Sequence, residues 1–224
     1  MSPRARGSDE LGRMGSRPPE ERRGNRVVYV VAEGERTEYD YLGHLYAKYG
    51  RRHRFVLQTP TQRHGLEPSG VVGEASRQVG DPDIHQVWAL FDHDGRTGID
   101  QVCAQATRQG IQAALSHPAF ELWLLLHFQD FTPAAQNGHN DLIIDKLRSA
   151  HPAFTNYGRD NKRINTPRFG ALCEGEGIQA AVRRARALAQ NFPQSAPSGR
   201  DPSTDVYRLI ESFGIVPRPR LRSR

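Results

Sequence analysis

Asp92 and Asp94 stand two residues apart at the end of QVWALFDHD, and Glu33 stands at the end of VVYVVAE. Each acid follows a run of strand-forming apolar residues with no polar break, the pattern of a central strand buried on both faces. Carboxylates just past a buried strand rarely serve stability. In open parallel α/β sheets, ligands collect outside the carboxyl ends of the strands, so the three acids are expected on one rim. Hard oxygen donors in that number suit Mg²⁺ or Mn²⁺, which take a few carboxylates and leave positions for water and phosphate oxygens. His93 lies between the aspartates, and because side chains alternate along an extended segment it is expected to face away from them. Gly34, between strand end and helix start, lets the chain turn sharply and lets a ligand approach the backbone.

The elements that must position these residues follow from periodicity. Strands are expected over residues 27–32, 54–59, 87–91 and 111–115, with helices over 36–49, 71–79 and 99–108 between them. Helical crossovers of this length imply a mainly parallel sheet. A further helix starts near Pro118 and runs through the apolar segment from Leu122, with Glu121 in its first turn. Glu121, like Glu35 and Glu38, has a sufficient structural role as a partner of the helix dipole. Residues 132–140 read as a loop, 141–150 and 178–189 as helices, and residues 201–204 as the opening of a last helix ended by Gly214. Residues 152–168 read as irregular and as the most basic patch of the core. They carry Tyr157, Arg159, Lys162, Arg163 and Arg168, which either hold phosphates with aromatic help or form an ordinary exposed loop.

The chain has 224 residues and a net charge of +6, enough length for one α/β domain. The charge lies in the ends. Residues 1–26 carry +3 and residues 215–224 carry +4, which leaves −1 for the part between them. Residues 1–25 lack hydrophobic periodicity and read as a disordered basic arm, residues 26–214 as the folded domain, and residues 215–224 as a basic tail. The ends either track phosphates or are solvated extensions. The strongest apolar run, residues 122–126, is far short of the roughly 20 residues a membrane span needs, and no apolar leader is present, so a cytoplasmic protein is expected. Cys103 and Cys173 have no CxxC spacing and read as reduced core thiols.

VVYVVAEGERTEYDYL followed by VWALFDHDG resembles the TOPRIM pattern, in which a Glu-Gly after the first strand and a D-x-D after the third build a Mg²⁺ site for phosphodiester chemistry. More specifically, EGERTE, FDHD, LSHPAFELWLLLHF and DPSTDVYRLIESF together resemble the RloB-like family, TOPRIM-like proteins encoded beside phage-defence and restriction loci. The resemblance covers about residues 27–213. It implies an α/β fold with a TOPRIM-like, mainly parallel four-stranded sheet flanked by helices and a C-terminal helical extension. It also implies a metal-dependent nuclease acting on DNA or RNA, tRNA included, as the effector subunit of a phage-defence system with an ATPase partner. By the same resemblance Glu33 is the TOPRIM glutamate, Asp92 and Asp94 are metal-binding acids, and Glu121 joins the site. Gly95 departs from the pattern, because many TOPRIM nucleases carry a further acid there. Glu33 is then either a general base or a ligand of a second ion. Two other readings compete: a haloacid-dehalogenase-like phosphatase with Asp92 as nucleophile, and a non-catalytic subunit that grips a partner with this rim.

Overall fold

Val28, Val30 and Ala32 pack on one side of the sheet and Tyr29 and Val31 on the other, and all five are buried. An alternating strand can be apolar at every position only if both faces are covered, and both are. The computed structural model describes residues 25–62, 65–131, 140–158 and 160–216. Its elements run β1 (Arg26–Ala32), α1 (Thr37–Tyr49), β2 (Phe55–Gln58), α2 (Pro68–Ser76), β3 (Gln86–Asp92), α3 (Ile99–Arg108), β4 (Gln112–His117) and α4 (Glu121–Leu125). They continue through α5 (Asn140–Ala150), α6 (Thr166–Leu172), α7 (Gly177–Ala189), β5 (Ser203–Thr204) and α8 (Val206–Ser212).

The strand order is β2-β1-β3-β4-β5, with the first four parallel and β5 antiparallel to β4. Helices α2 and α3 cover the face that holds Val31, Ala89 and Phe91. Helix α1 and the helices after β4 share the larger core on the other face, around Trp88, Leu90 and Trp123. The chain leaves β1 toward β2 on one side and returns to β3 on the other. A doubly wound sheet therefore reverses direction between β1 and β3, and ligands are expected outside the carboxyl ends of those two strands.

The α/β class, the parallel order and the flanking helices match the sequence reading, and four differences have local causes. Ser203 and Thr204 do not open the last helix but form β5, pairing with His117 and Ser116 and joined to β4 by a 2.9 Å bond between the Ser116 and Thr204 hydroxyls. Residues 166–168, expected to be irregular, open α6, because the Asn165 side chain accepts a bond from Arg168 N and Pro167 occupies the first turn. The helix after Pro118 is short, since only Glu121–Leu125 hold the α-helical pattern. Ile215 and Val216 pack into the larger core, so the folded part runs past residue 214. Residues 1–24 and 217–224, read as basic ends, and the loop at 132–139 lie outside the described residues.

Candidate active site

Tyr39 fixes the end of β1. Its hydroxyl accepts a bond from Ala32 N (2.9 Å) and donates to Ala32 O (3.3 Å). The next residue, Glu33, is bonded through its own N–H to Leu90 O of β3, so its side chain is delivered beside the neighbouring strand end. Glu33 Oε2 accepts from Asp92 N at 2.9 Å, and Oε1 pairs with the Arg96 guanidinium at 2.6 Å. Arg96 also reaches Glu67, with Nε to Oε2 at 3.1 Å. The two strand-end acids are thus held against one another at the reversal point.

A cavity of about 330 Å³ opens there, lined by Glu33, Glu38, Asp92 and Glu121, with Lys162 and Arg163 on its lip. Glu38 is buried, in the first turn of α1, and its carboxylate rests on Gly34. A Cβ at Gly34 would overlap the Glu38 carboxylate oxygens, so the glycine serves this packing as well as the turn. Glu121 is 3 % exposed; its Oε1 accepts from the Tyr157 hydroxyl at 3.1 Å and pairs with Lys162 Nζ at 2.9 Å. Lys162 is carried by a loop that α1 anchors: Thr37 Oγ1 donates to Lys162 O (2.9 Å), and Asp40 Oδ2 accepts from Arg163 Nε (2.5 Å) and Ile164 N (3.1 Å).

Burial and mutual repulsion dominate the electrostatics. Burial raises the Asp92 carboxyl well above the usual range, and Glu38, Glu121, Glu33 and Asp94 add to it. Burial likewise pushes Glu38 up to about 7, with Glu121 and Glu33 contributing and Lys162 opposing. Glu33 is raised by burial despite the opposing bonds from Asp92 N and Arg96. Burial alone would weaken the Lys162 charge, but Glu121, Asp92 and Glu38 outweigh it and hold its pKa up. The cavity therefore gathers more carboxyl groups than Lys162 and the Arg96 paired with Glu33 can offset.

Of the residues read from sequence, Glu33, Asp92, Glu121, Lys162 and Arg163 meet at this cavity. Asp94 does not line it. It is exposed, just beyond β3 in a left-handed backbone conformation (φ 45°), and acts on Glu33 and Asp92 through space. His93 faces the other way, as alternation requires, with its ring stacked on His117 at 3.8 Å. Arg168 corrects the sequence reading: it is 3 % exposed, its Nε and Nη1 donate to the Ala153, Asn161 and Arg163 carbonyls, and it lies over the Tyr157 ring at 5.1 Å. Enclosed in this way it shapes the loop and offers nothing to a phosphate. Arg159 lies outside the described residues. Glu38 and Arg96 were not among the sequence candidates. Among the described residues, no group of three or more His, Cys, Asp or Glu side chains stands arranged to hold a metal ion.

The fold and cavity define a doubly wound α/β protein with an acid pocket at its strand-reversal point. Residues 28–213 match the family described as RloB-like protein, and the chain belongs to that family. No curated protein and no solved structure matches the chain. No helix among the described residues is long and apolar enough to cross a membrane.

Proposed function

We propose that this chain is a metal-dependent nuclease that hydrolyses phosphodiester bonds in DNA or RNA, working as the effector subunit of a phage-defence system beside an ATPase partner. The observation that carries the enzymatic reading is the convergence of Glu33, Glu38, Asp92 and Glu121 on one cavity whose lining also includes Lys162 and Arg163. Carboxylates whose proton affinity is raised by one another are a donor set that a hard divalent cation relieves. Asp92 and Glu38 would hold Mg²⁺ or Mn²⁺, with Glu33 beside them and Asp94 within electrostatic reach. When bound, such an ion neutralises phosphoryl charge and lowers the pKa of its water.

The remaining work falls to the protein's own groups. Glu33, held by Asp92 N and Arg96, would accept a proton from the attacking water. Lys162 and Arg163 face the opening and would hold the phosphate oxygens. Glu121 would position Lys162 through its Oε1, which pairs with the ammonium and accepts from the Tyr157 hydroxyl. The phosphatase reading leaves Glu33 and Glu38 without a task.

Calorimetry with Mn²⁺ beside a cleavage assay on tRNA and on single- and double-stranded DNA, with and without the ATPase partner, tests the proposal. Asp92→Asn and Glu38→Gln are expected to lose both metal heat and cleavage. Glu33→Gln is expected to lose cleavage and keep most of the metal affinity, and Asp94→Asn, outside the cavity, to weaken both only in part. Full cleavage by Asp92→Asn would remove the nuclease site.

A further inference from the structure

The opposite rim of the sheet carries the other sign. Lys48, Arg51, Arg52 and Arg54 are exposed at the turn from α1 into β2, and no acid occurs in the sequence between Asp40 and Glu67. Arg26, exposed at the start of β1, joins them through its N–H, which donates to Arg54 O at 3.0 Å. No described acid pairs with any of these five cations. Asp81 and Asp83 lie in the turn into β3, on the far side of β1 from β2, and Glu211 near the end of α8 is paired with Arg186. This stretch therefore outranks residues 152–168 as the basic patch of the folded part.

Its position is set by the sheet. Arg26 and Arg54 precede parallel strands, whereas Glu33 and Asp92 end them, so the cationic rim and the acid cavity stand at opposite ends of β1, roughly 20 Å apart by strand rise. The α8 end is tied to the same corner, where His53 Nδ1 meets Gly214 O at 2.8 Å and Phe55 stacks on Phe213 at 4.4 Å. Six arginines precede residue 25 and four follow residue 216, and both segments join the described chain close to this rim. Complementing the C-terminal dipole of α1 takes one or two cations, and Lys48 already sits in its last turn. Five exceed that need. Arg54 moreover stands at a left-handed backbone position (φ 55°) that glycine or asparagine adopts more easily.

We propose that this rim docks the phosphate backbone of a nucleic acid, at a surface separate from the acid cavity. Cations presented without acid partners neutralise phosphates and release the counterions condensed on the nucleic acid, which makes such binding steeply salt-dependent and indifferent to sequence. The docked strand is gripped at one end of the molecule while the other end is left free for chemistry.

The test measures binding of the full chain to a labelled strand and a duplex of about 30 nucleotides across a salt series, with EDTA present. With chelator present the readout is independent of any metal or cleavage, so a failed nuclease reading leaves it interpretable. The variant Arg51→Ala/Arg52→Ala/Arg54→Gly is expected to bind at least about tenfold more weakly at low salt and to lower the slope of log K against log salt by about 2 to 3. Arg183→Ala, which removes a cation already paired with Glu176, is expected to leave the slope unchanged. The triple variant is expected to melt no lower than the parent, because Arg54→Gly relieves a left-handed arginine and Arg51 and Arg52 are exposed, so that lost binding cannot be ascribed to a lost fold. Unchanged affinity and slope in the triple variant would overturn the proposal. So would a triple variant that loses binding to poly-glutamate while keeping its nucleic acid, which would mark the rim as a surface for an acidic protein.

Discussion

Glu38 shows how a side chain with a sufficient local explanation acquires another in three dimensions. At the start of α1 it is a favourable acid for the helix dipole, and nothing in its spacing sets it apart from Glu35. Folding separates them: Glu38 is buried over Gly34 beside Asp92, while Glu35 stays exposed and accepts from Gly65 N. The consequence is measurable by pH. Below the unfolded value near 4.5 the Glu38 carboxyl is neutral in both states, and between there and about 7 the unfolded chain ionises while the folded one resists. Stability of chelator-treated protein is therefore highest on the acid side of that window and falls as pH rises through about 7, more so because Asp92 and Glu33 shift the same way. Melting temperatures between about pH 5 and pH 8 are expected to decline in the parent and to decline less in Glu38→Gln. Equal declines in the two proteins would show that Glu38 is not strained as described.

At the scale of elements, what the sequence displays is periodicity, and what it hides is contact. The span of α3 could be read directly because Ile99, Cys103 and Ala106 recur at helical spacing against one face. The strands β1 and β3 were legible as unbroken apolar runs, and with them Glu33 and Asp92 as rim acids. Strand β5 is two residues long, and two residues carry no period; only the edge of β4 makes them a strand. Helix α6 carries a local signal in Asn165 and Pro167, a cap and a first-turn proline. Arg168 was the harder case, since an arginine in a polar stretch looks the same whether it reaches solvent or closes a loop on itself. Here it closes the loop that carries Lys162. Arg168→Ala is expected to cost about 2 to 4 kcal/mol in urea unfolding, because it strips bonds from three buried-side carbonyls and leaves a gap beside Tyr157 and Phe154. A loss below about 0.5 kcal/mol, the range of ordinary surface substitutions, would place the side chain in solvent instead.

The whole molecule is divided along its strands, with acid at one end and base at the other, and it is closed late. Ser116 and Thr204 lie 88 positions apart, yet their hydroxyls complete the same sheet edge. Made from the N-terminus at about 5 to 20 residues per second, a growing chain exposes the rim of β4 for roughly 4 to 18 seconds before its cover emerges. An apolar parallel sheet with an unpaired edge is a template for other chains. Chains truncated between about residues 190 and 202 are thus expected to sediment or to stay bound to chaperones, whereas those ending after residue 216 remain dispersed, as fractionation of expressed truncations would show. Dispersed behaviour of both sets would mean that β5 is dispensable to the edge. For a cell that makes this protein on polysomes, β5 is a timing device: neighbouring nascent copies each display the same open edge at the same stage of synthesis, and the spacing of ribosomes along the message decides whether those edges meet one another before they meet their own C-terminal strand.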